Sequence, residues 1–184
     1  GLWERVSFRI YGINRKDART RIGDYVRLAL RTARENLSAT EIEKGIRCIG
    51  DEFPIENSIK ELQNSNCYKD WQQDLRYFLF CYERHLAEKN GQNFSNQNCA
   101  KIWQAAASDS IEHIYPQSQG YHEPTDDGVF VHRLGNLMLL PPSLNSKLQA
   151  LAPDKKKGEY SHFDVSTTKL AFFSYQNFFF FFNT

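Results

Sequence analysis

The feature that most limits what this chain can fold into is a change of pattern after Ser108. Through the first hundred residues, apolar side chains recur at the three- and four-residue intervals of a buried helix face. Beyond Ser108 they come in short runs broken by Gly, Pro and Asp. Residues 110–115 read as a strand, 120–128 as a loop and 137–140 as a second strand, with a helix from Ser143 after Pro141 and Pro142. No internal repeat accompanies the change. The expected fold class is α+β, a helical bundle followed by a small motif of two strands and a helix.

The helical half divides into segments with their own end signals. From Ala18 onward, Ile22, Tyr25, Val26, Ala29, Leu30 and Ala33 share one helical face and leave the arginines mostly on the other. Residues 1–38 carry nine basic side chains against four acidic, a local excess of five. This basic face is either solvated or able to meet nucleic acid. Thr40 followed by Glu43 forms a capping-box pattern ahead of Ile42, Ile46 and Ile49, and Pro54 closes that helix. A shorter helix is expected over 55–64. The strongest periodicity runs over 68–89, where Trp71, Leu75, Phe78, Leu79, Tyr82 and Leu86 form a wide stripe and Gly91 offers a stop. A polar loop at 90–97 leads to a short helix over 100–107.

Composition excludes several classes. With 23 Lys and Arg against 22 Asp and Glu, the 184-residue chain is nearly neutral, unlike a charged disordered tail. Even its Phe178 to Phe182 run is far short of the roughly 20 residues of a membrane span, and no secretory leader is visible. Cys48, Cys67, Cys81 and Cys99 form no Cys-x-x-Cys pair, which points to reduced thiols in a cytoplasmic setting. The sole Met is Met138, so the chain reads as the C-terminal part of a longer protein. Seven of its 14 Phe lie in the last 13 residues, and 166–184 read as a frame-shifted or truncated tail.

Chemistry concentrates where the pattern changes. In Glu112-His113-Ile114-Tyr115-Pro116-Gln117 a carboxylate stands beside a histidine. Neighbours on a strand point to opposite faces, so the two serve one site only if the strand ends there, and Pro116 supplies an ending. Gly135-Asn136 opens the second strand, and Asn145 follows nine residues later on the next helix. A lone Glu-His pair is common; the joint order and spacing with Pro116, Asn136 and Asn145 carries more. His122, His132 and His162 have no motif partner and read as surface or structural histidines. His132, four residues before Asn136, is the first of them to test.

This constellation resembles the His-Asn-Asn variant of the HNH, or ββα-metal, nuclease motif. Its spacing is similar to that of the HNH domain of RNA-guided CRISPR nucleases and, more closely, to the C-terminal HNH domain of GmrSD-like type IV restriction and anti-phage proteins. The resemblance implies a metal-dependent DNA endonuclease with His113 as general base, its imidazole near neutral pKa without tuning. It implies that Asn136 accepts a hydrogen bond from the far ring nitrogen and that Glu112 and Asn145 hold Mg²⁺ or Mn²⁺ through oxygen. Lys147, Lys155, Lys156 and Lys157 fit phosphate contacts. The implied domains are 1–100, a helical connector; 101–165, the nuclease; and 166–184, the tail. The implied partners are DNA and an upstream nucleotide-hydrolysing domain, with no membrane. Two alternatives stand beside this reading: a catalytically inactive nucleic-acid- or partner-binding module on a degenerate HNH fold, and a purely structural connector.

Overall fold

A computed structural model describes residues 1–91, 96–119, 129–149 and 151–160. They are mostly helical with one small antiparallel sheet and fall into two compact units, Gly1–Ser65 and Asn66–Thr184. Among the described residues no helix is long and apolar enough to cross a membrane.

In the first unit, α1 (Leu2–Ser7) runs into a π-helical turn over Phe8–Ile13, followed by α2 (Ile22–Glu35), α3 (Ala39–Gly50) and α4 (Ile55–Asn64). Val6, Ile10, Tyr25, Leu28, Ile46, Ile49 and Phe53 form its core. The capping box of α3 is built by Ser38 and Glu41, two residues ahead of the expected Thr40 and Glu43. The Glu41 amide donates to the Ser38 hydroxyl at 3.3 Å and the Ser38 amide to the Glu41 carboxylate at 2.8 Å. The earlier start is selected by packing: it puts Leu37 just before the cap and Ile42 four residues into the helix, and both rest against the core as a hydrophobic staple.

Helix α2 is rotated from its expected setting. Tyr25 and Leu28 are buried, whereas Ile22, Val26 and Leu30 stand about half exposed. Gly45 on α3 explains the turn, because a Cβ there would lie 2.6 Å from a Leu28 methyl; the bare backbone makes room for Leu28 and fixes which face enters. Many arginines of the basic opening are engaged locally. Arg21 pairs with Asp24 at 2.8 Å and Glu52 at 2.6 Å, Arg27 with Asp24, Arg31 with Glu35 at 3.2 Å, and Arg9 donates to the Gly50 carbonyl at 3.1 Å.

The second unit opens with α5 (Cys67–Lys89), which departs from helical geometry at Gln72 and is followed at Gly91 by a left-handed residue, φ +66°. Trp71, Leu75, Leu79 and Leu86 are buried as their spacing requires, while Tyr82 is exposed. After α6 (Asn96–Gln104) and a 3-10 turn at Ala107–Ser110 come β1 (Ile111–His113), β2 (Leu137–Leu139), α7 (Pro142–Leu148) and α8 (Pro153–Tyr160). The strands pair antiparallel, Ile111 with Leu139, Glu112 with Met138 and His113 with Leu137, and all six residues are buried. Helix α5 packs on β2. It therefore belongs with the hairpin, ahead of the division expected near residue 100. The expected loop at 120–128, His122, His162 and the tail 166–184 lie outside the described residues.

Replacing Ser38 by Ala removes the acceptor for one otherwise unpaired helix amide. The expected loss is about 1 kcal/mol, read as a lower urea midpoint at unchanged slope.

Candidate functional site

Strand β1 is short because its ends are held by side chains. Ser110 sits in the 3-10 turn, its hydroxyl donating to the Ala107 carbonyl at 3.0 Å. At the other end the Tyr115 amide donates to Asn136 Oδ1 at 2.7 Å, and Asn136 Nδ2 donates to the carbonyls of Tyr115 at 3.0 Å and Val131 at 2.8 Å. Asn136 is thus a backbone clamp where the chain enters β2. Its side chain is turned onto the loop, and the His113 ring meets His132 and Gln117 instead, so the expected bond to that ring is absent.

Inter-strand bonds from Leu140 to Ser110 at 2.9 Å and from Ile114 to Asn136 at 2.9 Å turn the carbonyls of Ile111 and His113 away from β2, as antiparallel alternation demands. Two helices cap this outer edge. Asn145 on α7 donates through Nδ2 to the Asp109 carbonyl at 2.9 Å and lies 3.5 Å from that of Ile111. Lys156 on α8 donates to the His113 carbonyl at 2.6 Å and to Glu112 Oε1 at 2.6 Å, with the Tyr160 hydroxyl 3.4 Å from the same oxygen.

Lys156 is fully buried. It departs from the expectation of a phosphate-facing lysine because its ammonium neutralises a buried carboxylate. Lys147 and Lys155 are exposed and Lys157 is half-buried. Burial pushes the Glu112 carboxyl above its ordinary value, and the hydrogen bond and charge of Lys156 pull it part of the way back.

His113 points to the opposite face of β1 from Glu112, as strand alternation requires. Its ring is engaged on both nitrogens: Nε2 lies 3.3 Å from His132 Nδ1, and Nδ1 lies 3.2 Å from the side-chain nitrogen of Gln117. Tyr68 of α5 stacks on His132, with centroids 5.4 Å apart and planes 10° apart, and meets His113 edge-on at 4.4 Å. Burial, with the nearby charges of His132 and Lys156, lowers the His113 pKa to about 3. The expectation of an untuned imidazole therefore fails, because this ring has left water.

Glu112, His113, Gln117 and Asn145 line one cavity of about 710 Å³ between the end of β1 and α7. The motif residues on β1 and α7 are brought together, while Asn136 stands behind them as support. Sequence reasoning missed Tyr68, the attachment of Gln117 and His132 to His113, and the pairing of Lys156 with Glu112. The Pro-Gln pair and the position of His132 were visible signals for two of these; nothing in the sequence marked Lys156 out from its neighbours.

Among the described residues no three His, Cys, Asp or Glu side chains form a metal cluster. The donor chemistry nevertheless fits a hard cation, since a carboxylate and a carboxamide oxygen share the cavity wall with the hydroxyls of Ser108, Ser143 and Ser146. The Nδ2 of Asn145 is committed to Asp109, which leaves its oxygen as the donor end.

A two-stranded hairpin closed by helices thus gathers a histidine, a carboxylate and carboxamides around one cavity. The chain belongs to the family of C-terminal domains of GmrSD restriction endonucleases, whose family model matches residues 54–177. That span begins at the N-cap of α4 and stops one residue before the Phe178 to Phe182 run. No curated protein and no solved structure matches the chain. Membership makes the coarse activity that of a nuclease-type restriction module, with DNA as the substrate class.

Removing Lys156 alone strands Glu112 as a buried carboxylate. Lys156→Ala is expected to cost about 3–5 kcal/mol in chemical denaturation, and pairing Lys156→Met with Glu112→Leu restores most of it. The His113 shift makes a second prediction. Because the folded ring resists protonation down to about pH 3 while an unfolded one takes a proton near pH 6.5, its contribution is present above that upper value and lost as pH falls toward the lower. At about 1.4 kcal/mol per pKa unit the total reaches a few kcal/mol. In chelator, His113→Gln should flatten the fall in stability between those limits, measured by urea midpoints across the range.

Proposed function

We propose that this chain is an HNH-type, metal-dependent DNA endonuclease module of a restriction and phage-defence protein, working in the cytoplasm beside an upstream nucleotide-hydrolysing domain. The observation that carries the reading is the convergence of Glu112, His113 and Asn145 on one cavity within a restriction-endonuclease family domain.

In this reading His113 is the general base. Its Nδ1, beside the exposed Gln117 on the cavity wall, takes a proton from water once that amide moves aside. The water oxygen forms the new P–O bond as the bond from phosphorus to the 3′ oxygen breaks, and the departing oxygen collects its proton from solvent. Burial keeps the ring unprotonated at neutral pH, and entry of water or phosphate into the cavity would raise its basicity toward the working range of a general base. Glu112 and Asn145 would hold one Mg²⁺ or Mn²⁺, which when bound supplies charge stabilisation to the phosphate and the leaving oxygen. Lys156 fixes the Glu112 carboxylate, and Asn136 keeps the loop after β1 in register with β2. The exposed Lys147 and Lys155, with Lys157, would meet the DNA backbone, where point charges suffice.

One observation favours the alternative of a catalytically inactive nucleic-acid- or partner-binding module: both His113 nitrogens and one Glu112 oxygen are already engaged within the protein. Supercoiled plasmid with Mg²⁺ or Mn²⁺ separates the two. Nicking that falls at least about a hundredfold in His113→Ala supports the base. Undiminished nicking in that variant overturns it, and DNA binding without cleavage under either metal favours the alternative.

A further inference from the structure

We infer that His132 is a positioning residue for His113, accepting its Nε2 proton and so holding the ring with the Nδ1 lone pair toward the cavity. This rests on the nuclease reading above and assigns, within it, the job that the sequence pattern gave to Asn136.

The argument runs along one chain of contacts. A neutral imidazole has one donor and one acceptor nitrogen, and the amide nitrogen of glutamine only donates. Gln117 Nε2 lies 3.2 Å from His113 Nδ1, so Nδ1 is the acceptor. The ring proton is then on Nε2, which faces His132 Nδ1 at 3.3 Å; His132 accepts there and carries its own proton on Nε2. Asn136 takes no part, being committed to Tyr115 and Val131.

The surroundings make His132 a fixed support. It is buried, as is His113. Its ring lies flat on Tyr68 and meets His113 at 80°, with centroids 5.4 Å apart, so rotating either imidazole breaks a ring contact. The two partners of His113 also differ in access. Gln117 is exposed and lines the cavity, whereas His132 is not among the cavity-lining residues. Water or a phosphate oxygen can displace the first without disturbing the second.

The test uses the whole ¹⁵N-labelled chain in chelator at neutral pH, with long-range ¹H–¹⁵N spectra reading the His113 tautomer. The expected result is Nε2–H in the wild type and in His132→Asn, and a mixture of tautomers in His132→Phe, which keeps an aromatic ring against Tyr68 but offers no acceptor, so that the exposed Gln117 amide can present either end to the ring. Plasmid nicking should follow, kcat falling about ten- to a hundredfold in His132→Phe with KM little changed, and returning in His132→Asn. A wild-type ring protonated on Nδ1, the arrangement that a reversed Gln117 amide would impose, overturns the inference, as does an unaltered His113 tautomer in a folded His132→Phe. Wild-type protein that shows the Nε2–H tautomer and cuts no DNA leaves the ring orientation standing and overturns the nuclease reading instead.

Discussion

The second unit depends on one ammonium group. Lys156 reaches the outer edge of β1 and donates at 2.6 Å to both the Glu112 carboxylate and the His113 carbonyl, joining two consecutive motif residues to a helix more than forty positions away. Neither charge could stay in this interior alone, because desolvating an ion costs several kcal/mol and only a close, hydrogen-bonded partner offsets it. The pair joins α8 to the hairpin in the register that brings Lys156 to Glu112. Tyr160, one turn on, joins the same carboxylate and the apolar cluster of Met138, Leu140 and Leu148.

The edge of β1 shows how a three-residue strand survives beside solvent. A sheet edge leaves carbonyls that demand donors. Here a carboxamide from α7 and an ammonium from α8 supply them, so residues that read as ligands and phosphate contacts also serve as structural caps. Asn136 does the same for the loop. Motif residues and structural caps are here the same side chains, so a substitution at this site disturbs the packing of the hairpin.

Much of this was legible in the sequence. The helices over 55–64 and 68–89, the hairpin and α7 followed from periodicity and end signals, which act within a few residues. Glu112, His113 and Asn145 were legible as a group because their order along the chain survives in the cavity. What was not legible arises between distant elements. Leu28 lies on the buried side of α2 because Gly45 on another helix makes room for it, and no pattern within α2 records that. The staple of Leu37 and Ile42 outweighed an equally good capping pattern two residues later. Among Lys155, Lys156 and Lys157, the middle one is turned inward by its pairing with Glu112, forty-four positions earlier. His132 looked partnerless because its partner lies nineteen positions away, on β1, while His132 itself ends a 3-10 turn ahead of β2.

The position of Lys156 in the chain also orders events in time. Glu112 and His113 emerge from a ribosome well before α8, and until residues 156 and 160 follow, the outer edge of β1 has neither its cover nor its counter-charge. The hairpin is therefore incomplete in any nascent or shortened chain that stops earlier. The second unit would remain unassembled until the synthesis of α8.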